Sequence, residues 1–203
     1  MLGAGLIGLA PLFVRWSELS PSWTLFYRMF LALPFLAAIN LYFNRSNAFR
    51  LKNKKNLMLS FIAAFAFACD MSAWHWSLQF TSVANSTILV NTAPIYLVLF
   101  GVFLFKEPIS RKFFLSFVLT YIGVIGLIYF SSSKTEGALL GDAMALMAAF
   151  LYATYLLIIS RLGKESSINI IFYTTLFTSI FGLIFALFES REFLPSSPMQ
   201  FYN

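Results

Sequence analysis

Two ionisable side chains interrupt long apolar stretches of this sequence, and they are the first candidates for chemistry. Arg28 lies in the apolar run that begins near Trp23, and Asp70 lies in the run that begins near Leu57. A guanidinium can bind a carboxylate through two hydrogen bonds, whereas a carboxylate can balance a positive charge or carry a proton. An ionisable group inside a membrane costs about 2.5–3.5 kcal/mol and usually faces protein or water. Arg28 and Asp70 are therefore predicted to line a polar cavity.

Asp70 shares one helix face with two further polar side chains. Trp74 and Ser77 follow it by four and seven residues, which is the spacing of a single face. An acid, an indole and a hydroxyl in one line would form a cavity wall, in which Trp74 offers stacking area. His75 is turned about 140° away from Asp70; both are candidates for a pH response or for coupling. The alternatives are that Trp74 belongs to an aromatic belt and that His75 is a packed neutral histidine.

The next apolar run carries a polar face interrupted by proline. Thr87, Asn91 and Pro94 share this face. Pro94 has no backbone N–H, so the carbonyl of Val90 loses its helical partner. In lipid such a carbonyl needs another donor or a water-filled cavity. Asn91 is therefore predicted to line the cavity, where its amide would orient a bound molecule.

The elements that position these residues are membrane spans. Of the 203 residues, 60% are hydrophobic and only 11% are charged, against about 25% charged in a soluble domain. This excludes a soluble enzyme, a disordered chain and a nucleic-acid-binding domain. Apolar runs of about 20 residues predict helices that cross a bilayer. They lie at about Met1–Val14, Trp23–Phe43, Leu57–Gln79, Ala84–Phe105, Phe113–Phe130, Leu140–Ser160 and Asn169–Phe188. The predicted fold is all-α, a polytopic membrane helix bundle of about seven transmembrane helices.

Basic residues divide unevenly between the two sides of this layout. With a cytoplasmic amino terminus, the loops after the second, fourth and sixth spans hold 10 Lys and Arg residues, and the other side holds 3. Cytoplasmic loops carry such an excess, so the amino terminus is predicted to be cytoplasmic. The single Cys69 excludes an internal disulfide, and one Cys with one His excludes an all-Cys/His metal site. Neither a metal nor a cofactor is predicted.

Small residues recur at every fourth position in two spans, which indicates close helix contacts. One stripe consists of Gly141, Ala145, Ala149 and Ala153, and the other of Ala64, Ala68 and Ser72. Tyr152 and Tyr155, beside the first stripe, could reach a cavity.

A weak internal repeat appears when the sequence is shifted by 146 residues. The shift aligns Arg15 with Arg161, Phe26 with Phe172, Tyr27 with Tyr173, and Phe35 with Phe181. A repeat of five helices reverses its orientation each time, and inverted repeats are typical of transporters. A partial inverted five-helix repeat is therefore expected.

The third to fifth spans carry a further pattern. It runs from Trp76 to Thr87, continues with Asn91-Thr92-Ala93-Pro94 and Lys106-Glu107-Pro108, and ends at Tyr121-Ile122-Gly123-Val124. Phe26-Tyr27-Arg28 and Gly141-Asp142 fit the same pattern at the second and sixth spans. With these motifs the chain resembles the EamA-type family of the drug/metabolite transporter superfamily.

The resemblance implies ten helices in two inverted five-helix repeats around a central pocket. It also implies export or exchange of small polar metabolites, such as amino acids, by alternating access, in a bacterial inner membrane. The expected domains are a first repeat over 1–130 and the start of a second, with two helices, over 131–203. Because the first span is short and the chain ends after the seventh, it is expected to be incomplete at both ends.

Three functions stay open. In the first, the chain is a transporter and not an enzyme. Its substrate is bound by Arg28, Asp70, Trp74 and Asn91, and Asp70 or His75 takes part in coupling. Its partners are the lipid bilayer, a small polar metabolite and a proton, with no nucleic acid; a homodimer is left open. The second is a non-transporting scaffold or inactive remnant. The third, an intramembrane aspartyl protease, would need two carboxylates sharing a proton, yet Asp142 is predicted several turns away from Asp70.

Overall fold

The computed structural model describes residues 19–51, 53–106, 111–132, 137–163 and 165–189, and within these ranges every regular element is a helix. The helices are α1 (Pro21–Asn44), a 3-10 turn (Arg45–Asn47), α2 (Lys54–Phe80), α3 (Val83–Val90), α4 (Ala93–Phe105), α5 (Arg111–Ser132), α6 (Ala138–Ser160) and α7 (Ser167–Phe188). Among the residues that the structure describes, five stretches are long and apolar enough to span a membrane, and α5 adds the shorter apolar segment Phe114–Gly126. The all-α polytopic membrane class is thereby confirmed. The predicted span at Met1–Val14 lies outside the described residues.

Many helix faces carry large apolar side chains that none of the described residues covers. Phe35, Phe103 and Phe188 are 73%, 78% and 83% exposed. Such exposure in water would cost about 25 cal/mol for each Å² of apolar surface. These faces are therefore suited to contact with the hydrocarbon interior of a lipid bilayer.

The described residues form two compact units. The first comprises the residues up to Ala68 and those from Leu162 onward, and the second comprises Cys69–Arg161. Helix α2 begins in the first unit and ends in the second.

In the first unit, α1 and α7 pack against each other in opposite directions. Ser20, just before α1, donates its hydroxyl to Oε2 of Glu189, just after α7, at 2.9 Å. At the other end, the hydroxyl of Ser166 before α7 donates to Oδ1 of Asn44 at 3.1 Å. Each helix therefore begins where the other ends.

Glycine allows the backbones of these two helices to come close. A Cβ added at Gly182 of α7 would lie 3.2 Å from the Cα and the N of Phe26 on α1. This is tighter than ordinary van der Waals contact, so the pairing depends on the missing side chain.

The segment between α1 and α2 is tied to the start of α7. The amide of Asn169 donates to the backbone carbonyls of Asn47 at 3.2 Å and Arg50 at 2.9 Å. The hydroxyl of Tyr173 donates to the carbonyl of Phe49 at 2.7 Å. Phe49 has a φ of 59°, a left-handed conformation that is uncommon for a bulky residue. These hydrogen bonds stabilise that turn.

In the second unit, the small-residue stripe of α6 is buried, as predicted. Ala145 packs with Leu89 of α3 and Val124 of α5. Ala149 and Ala153 pack with Ala93, the first residue of α4. Without large side chains on this stripe, α6 can lie close to both halves of the predicted fourth span.

Candidate functional site

The predicted fourth span is not one continuous helix. Helix α3 ends at Val90, and α4 begins at Ala93 with Pro94 in its first turn. Because Pro94 cannot donate to the carbonyl four residues earlier, the series of helical backbone hydrogen bonds is interrupted there. The sequence indicated one freed carbonyl, whereas the structure shows a two-residue break within a single membrane span.

Polar side chains at the break bond to the last turn of α3. Asn91 Nδ2 donates to the carbonyl of Thr87 at 2.7 Å, and Thr92 Oγ1 donates to the carbonyl of Leu89 at 2.6 Å. The side chain of Asn91 is exposed. Its amide keeps hydrogen-bonding capacity for a ligand, and its proposed orienting role stays a prediction.

Two buried polar groups of α2 have unused hydrogen-bonding capacity. Asp70 is 0% exposed, and neither of its carboxylate oxygens has a hydrogen-bond partner within the described ranges. Trp74, one turn later, is 8% exposed, and its buried Nε1 likewise has no partner there. An unsatisfied buried polar group costs about 1–3 kcal/mol, and more when it is charged. A deep acceptor and a deep donor on one helix face are therefore suited to a ligand or to water.

Ser77 has a different role from the predicted one. Its hydroxyl donates to the carbonyl of Trp74 at 2.7 Å, and it lies 2.5 Å from the hydroxyl of Ser86 on α3. Ser77 therefore joins α2 to α3, and the predicted line of cavity-facing residues shortens to Asp70 and Trp74. The sequence signal for this contact is a pair of serines nine residues apart across a tight turn.

His75 is almost completely enclosed by protein. It is 1% exposed, and its ring centroid lies 5.3 Å from that of Trp74. This burial suits both the packed histidine and the coupling interpretation, so its role in coupling stays a prediction.

Tyr152 of α6 packs beside the broken span. Its ring stacks on that of Tyr155 with centroids 5.9 Å apart. The same side chain packs against the cluster of Ala93, Ala149 and Ala153. An aromatic side chain thus lies against the start of α4.

Arg28 is an exposed residue of α1 in the first unit. The other predicted binding residues, Asp70, Trp74 and Asn91, belong to the second unit. The place of Arg28 in a polar cavity and its binding of a substrate carboxylate stay predictions.

The second buried aspartate, Asp142 on α6, is held at the far end of α2. Its Oδ1 accepts a hydrogen bond from the hydroxyl of Thr81 at 2.7 Å. Eleven residues from Asp70 to Thr81 correspond to about 16 Å of helical rise. Two carboxylates that share a proton must lie about 3 Å apart, so this geometry argues against the aspartyl protease alternative. In the described ranges, no group of three or more His, Cys, Asp and Glu could hold a metal ion.

Comparison with known proteins agrees with a membrane protein of this layout. The model of the EamA-like transporter family matches residues 1–129. An uncharacterized transporter of Bacillus subtilis, YetK, is 30% identical over 146 residues, which cover 70% of this chain and 43% of the relative. An uncharacterized transporter of Archaeoglobus fulgidus is 30% identical over 176 residues, which cover 84% of this chain and 58% of the relative. No solved structure is a significant match.

The matched segment includes α1, α2, the broken span α3–α4 and most of α5. The chain spans about half the length of the curated relatives it matches. Five apolar spans, the exposed apolar faces and a family match over more than half of the sequence all agree. The chain is an integral membrane protein and belongs to the EamA-like transporter family.

Proposed function

We propose that the chain forms part of a secondary transporter that moves small polar metabolites, such as amino acids, by alternating access. The observation that carries this proposal is the buried Asp70 carboxylate, whose oxygens find no hydrogen-bond partner among the described residues. Discontinuous helices surround the substrate and ion sites of many secondary transporters. The break between Val90 and Ala93 is of this kind.

Each predicted side chain has a role that follows from its chemistry. Arg28 binds a substrate carboxylate through its guanidinium. Asp70 balances that charge or carries a coupling proton, with His75 as the second coupling candidate. Trp74 offers a stacking surface, and Asn91 orients the substrate through its amide.

The pairing of α1 with α7 supports an inverted repeat over 1–130 and 131–203. The shift of 146 residues maps the start of α1, Pro21, onto the start of α7, Ser167, and it maps Ser20 onto Ser166. Both serines precede their helices and bond to the end of the opposite helix. Such antiparallel, reciprocal contacts are expected of two elements related by an inverted repeat.

The basic loops support an amino terminus on the cytoplasmic side of a bacterial inner membrane. Arg45, Arg50, Lys54 and Lys55 are exposed between or at the ends of α1 and α2. Concentration of Lys and Arg in such a short loop favours its retention in the cytoplasm.

Transport by the full chain in proteoliposomes tests the proposal. Arg28→Ala and Asp70→Asn are each expected to lower amino-acid flux at least tenfold, because each removes a charge that the substrate or proton needs. Arg45→Ala is the control for Arg28, since Arg45 is an exposed arginine in the loop after α1. Wild-type flux in both variants would remove the assigned site. A wild-type chain that is folded yet shows no flux would favour the non-transporting scaffold.

A further inference from the structure

We infer that the first unit contains a binding site for an anionic phospholipid, formed by the cations Arg50, Lys54 and Lys55 and an apolar strip on the first half of α2. The strip is a row of exposed side chains, Leu57, Met58, Phe61, Ile62 and Phe65. The lipid phosphate lies at the cations, and the acyl chains lie along the strip. This inference goes beyond the proposed transport function and does not depend on it, because lipid can bind whether or not the chain moves a solute.

The three cations provide positive charge that the described residues do not neutralise. All three are exposed, and none forms an ion pair with a described residue. The sequence has no Asp or Glu between Glu18 and Asp70. Glu165, an acid of the same unit, is 9% exposed and accepts a hydrogen bond from Asn56 of α2. An excess of positive charge at the start of α2 therefore remains for an anion from outside the chain.

The turn that leads into α2 is held in place by α7. Asn169 Nδ2 donates to the backbone carbonyl of Arg50 at 2.9 Å. The ring of Phe49, the preceding residue, packs edge-on against that of Phe172, with centroids 4.7 Å apart. A preorganised segment loses less conformational freedom on binding than a flexible one. The backbone that carries the first cation is therefore already ordered for a ligand.

The strip has the length of one lipid leaflet. Its residues follow Lys54 at intervals of three and four, which places them on the same helix face as that lysine. The eleven residues from Lys54 to Phe65 correspond to about 16 Å of helical rise, and half of a hydrocarbon core is about 15 Å. Met58, near the start of the strip, is 64% exposed. An acyl chain can therefore follow the strip through one leaflet while its headgroup stays at Lys54.

Aromatic rings of α7 border the strip and widen it. The ring of Phe61 packs edge-on against that of Phe177, with centroids 5.3 Å apart, and the ring of Phe65 packs against that of Phe181 at 5.2 Å. Phe177 and Phe181 are only half-buried, so two helices contribute to one apolar surface. A phospholipid contacts both this surface and the cations, whereas a free phosphate ion would contact the cations alone. The combination favours a lipid.

Native mass spectrometry of the full chain in detergent micelles tests the inference. The protein is titrated with anionic dioleoylphosphatidylglycerol and, in parallel, with dioleoylphosphatidylcholine, which has the same acyl chains and no net charge. Each Lys or Arg near a membrane surface strengthens attraction to anionic lipid by up to about fivefold, so we expect a preference of about tenfold for the first phosphatidylglycerol. The double variant Arg50→Gln and Lys54→Gln should lower this preference to about twofold, because it removes two of the three charges.

A second double variant, Lys106→Gln and Arg161→Gln, is the matched control. It removes one lysine and one arginine that are also exposed, and both belong to the second unit. Its preference should equal that of the wild type. Glycerol 3-phosphate, which has the charge of the headgroup and no acyl chain, should not displace the bound lipid even in large excess.

Equal affinity of the wild type for the two lipids would overturn the inference. An equal loss of preference in both double variants would also overturn it, since net charge alone would then attract the lipid. Displacement by glycerol 3-phosphate would show a phosphate site in place of a lipid site. If the first double variant does not fold, as judged by circular dichroism, Lys55→Gln decides the question: a loss of about two- to threefold supports the site, and an unchanged preference refutes it. Because no flux is measured, failure of the lipid site leaves the proposed transport function untouched.

Discussion

A close backbone approach in the second unit predicts a destabilising effect of a single methyl group. Gly141 lies in the first turn of α6, against the end of α2. A Cβ added there would lie 2.8 Å from the backbone N of Thr81 and 2.9 Å from the Cβ of Phe80. Ordinary contacts begin at 3.4 Å, so Gly141→Ala requires a displacement of about 0.6 Å. The blocking atom is backbone and cannot rotate away.

The magnitude follows from three contributions. Overpacking of a tight contact costs about 1–3 kcal/mol. Separation of α6 from α2 also stretches the hydrogen bond from Thr81 to Asp142, and bonds to charged groups contribute about 1.5–3 kcal/mol. Replacing glycine by alanine in a helix returns about 1 kcal/mol. We expect Gly141→Ala to lower the free energy of unfolding by about 2–4 kcal/mol.

Unfolding of the purified chain in mixed micelles by increasing SDS, followed by circular dichroism, measures this change. Gly123→Ala is the matched control, since a Cβ at Gly123 of α5 meets nothing within 4 Å. The control should be as stable as wild type or slightly more stable. If Gly141→Ala unfolds at the same SDS concentration as Gly123→Ala, the contact between α2 and α6 is looser than described, and the reasoning fails.

Two further predictions concern the segment between α1 and α2. Asn169→Ala removes three hydrogen bonds, to Asn44 and to the carbonyls of Asn47 and Arg50. Since each bond contributes about 0.5–1.5 kcal/mol, the free energy of unfolding should fall by about 2–4 kcal/mol in the same assay. Unchanged stability would show that this segment does not depend on α7. A cysteine at the exposed Asn53, in a Cys69→Ala background, should react with an impermeant maleimide from the cytoplasmic side only. Labelling from outside would reverse the predicted orientation.

Hydropathy and residue spacing predicted much of this fold. The starts of α1 and α7 fall within two residues of the predicted starts near Trp23 and Asn169. The alanine stripe of α6 is buried as its spacing indicates. These features depend on each helix's own sequence. A run that spans the lipid must be apolar, and a residue at a close helix contact must have a small side chain.

The features that were missed depend on side-chain contacts between different helices. Hydropathy does not reveal that Glu189 caps α1, because the bond from Ser22 joins residues 167 apart. Likewise, Ser77 looked like a free cavity hydroxyl until its contact with Ser86 was known. The sequence predicted Asp70 inside an apolar span, whereas its complete burial depends on how the helices pack around it. Which polar groups stay unpartnered is therefore a property of the tertiary structure.

The capping of α1 by Glu189 has a consequence for biosynthesis. Both the hydroxyl of Ser20 and the backbone N–H of Ser22 donate to this carboxylate. Ribosomes add about 5–20 residues per second, so Glu189 emerges on the order of ten seconds after Ser22. During that interval a nascent α1 resides in the insertion machinery or the bilayer with its first turn uncapped. Helix α1 can therefore reach its final packed position only after α7 has been synthesised. Ribosome stalling before Glu189 should leave an incompletely folded intermediate exposed to membrane proteases.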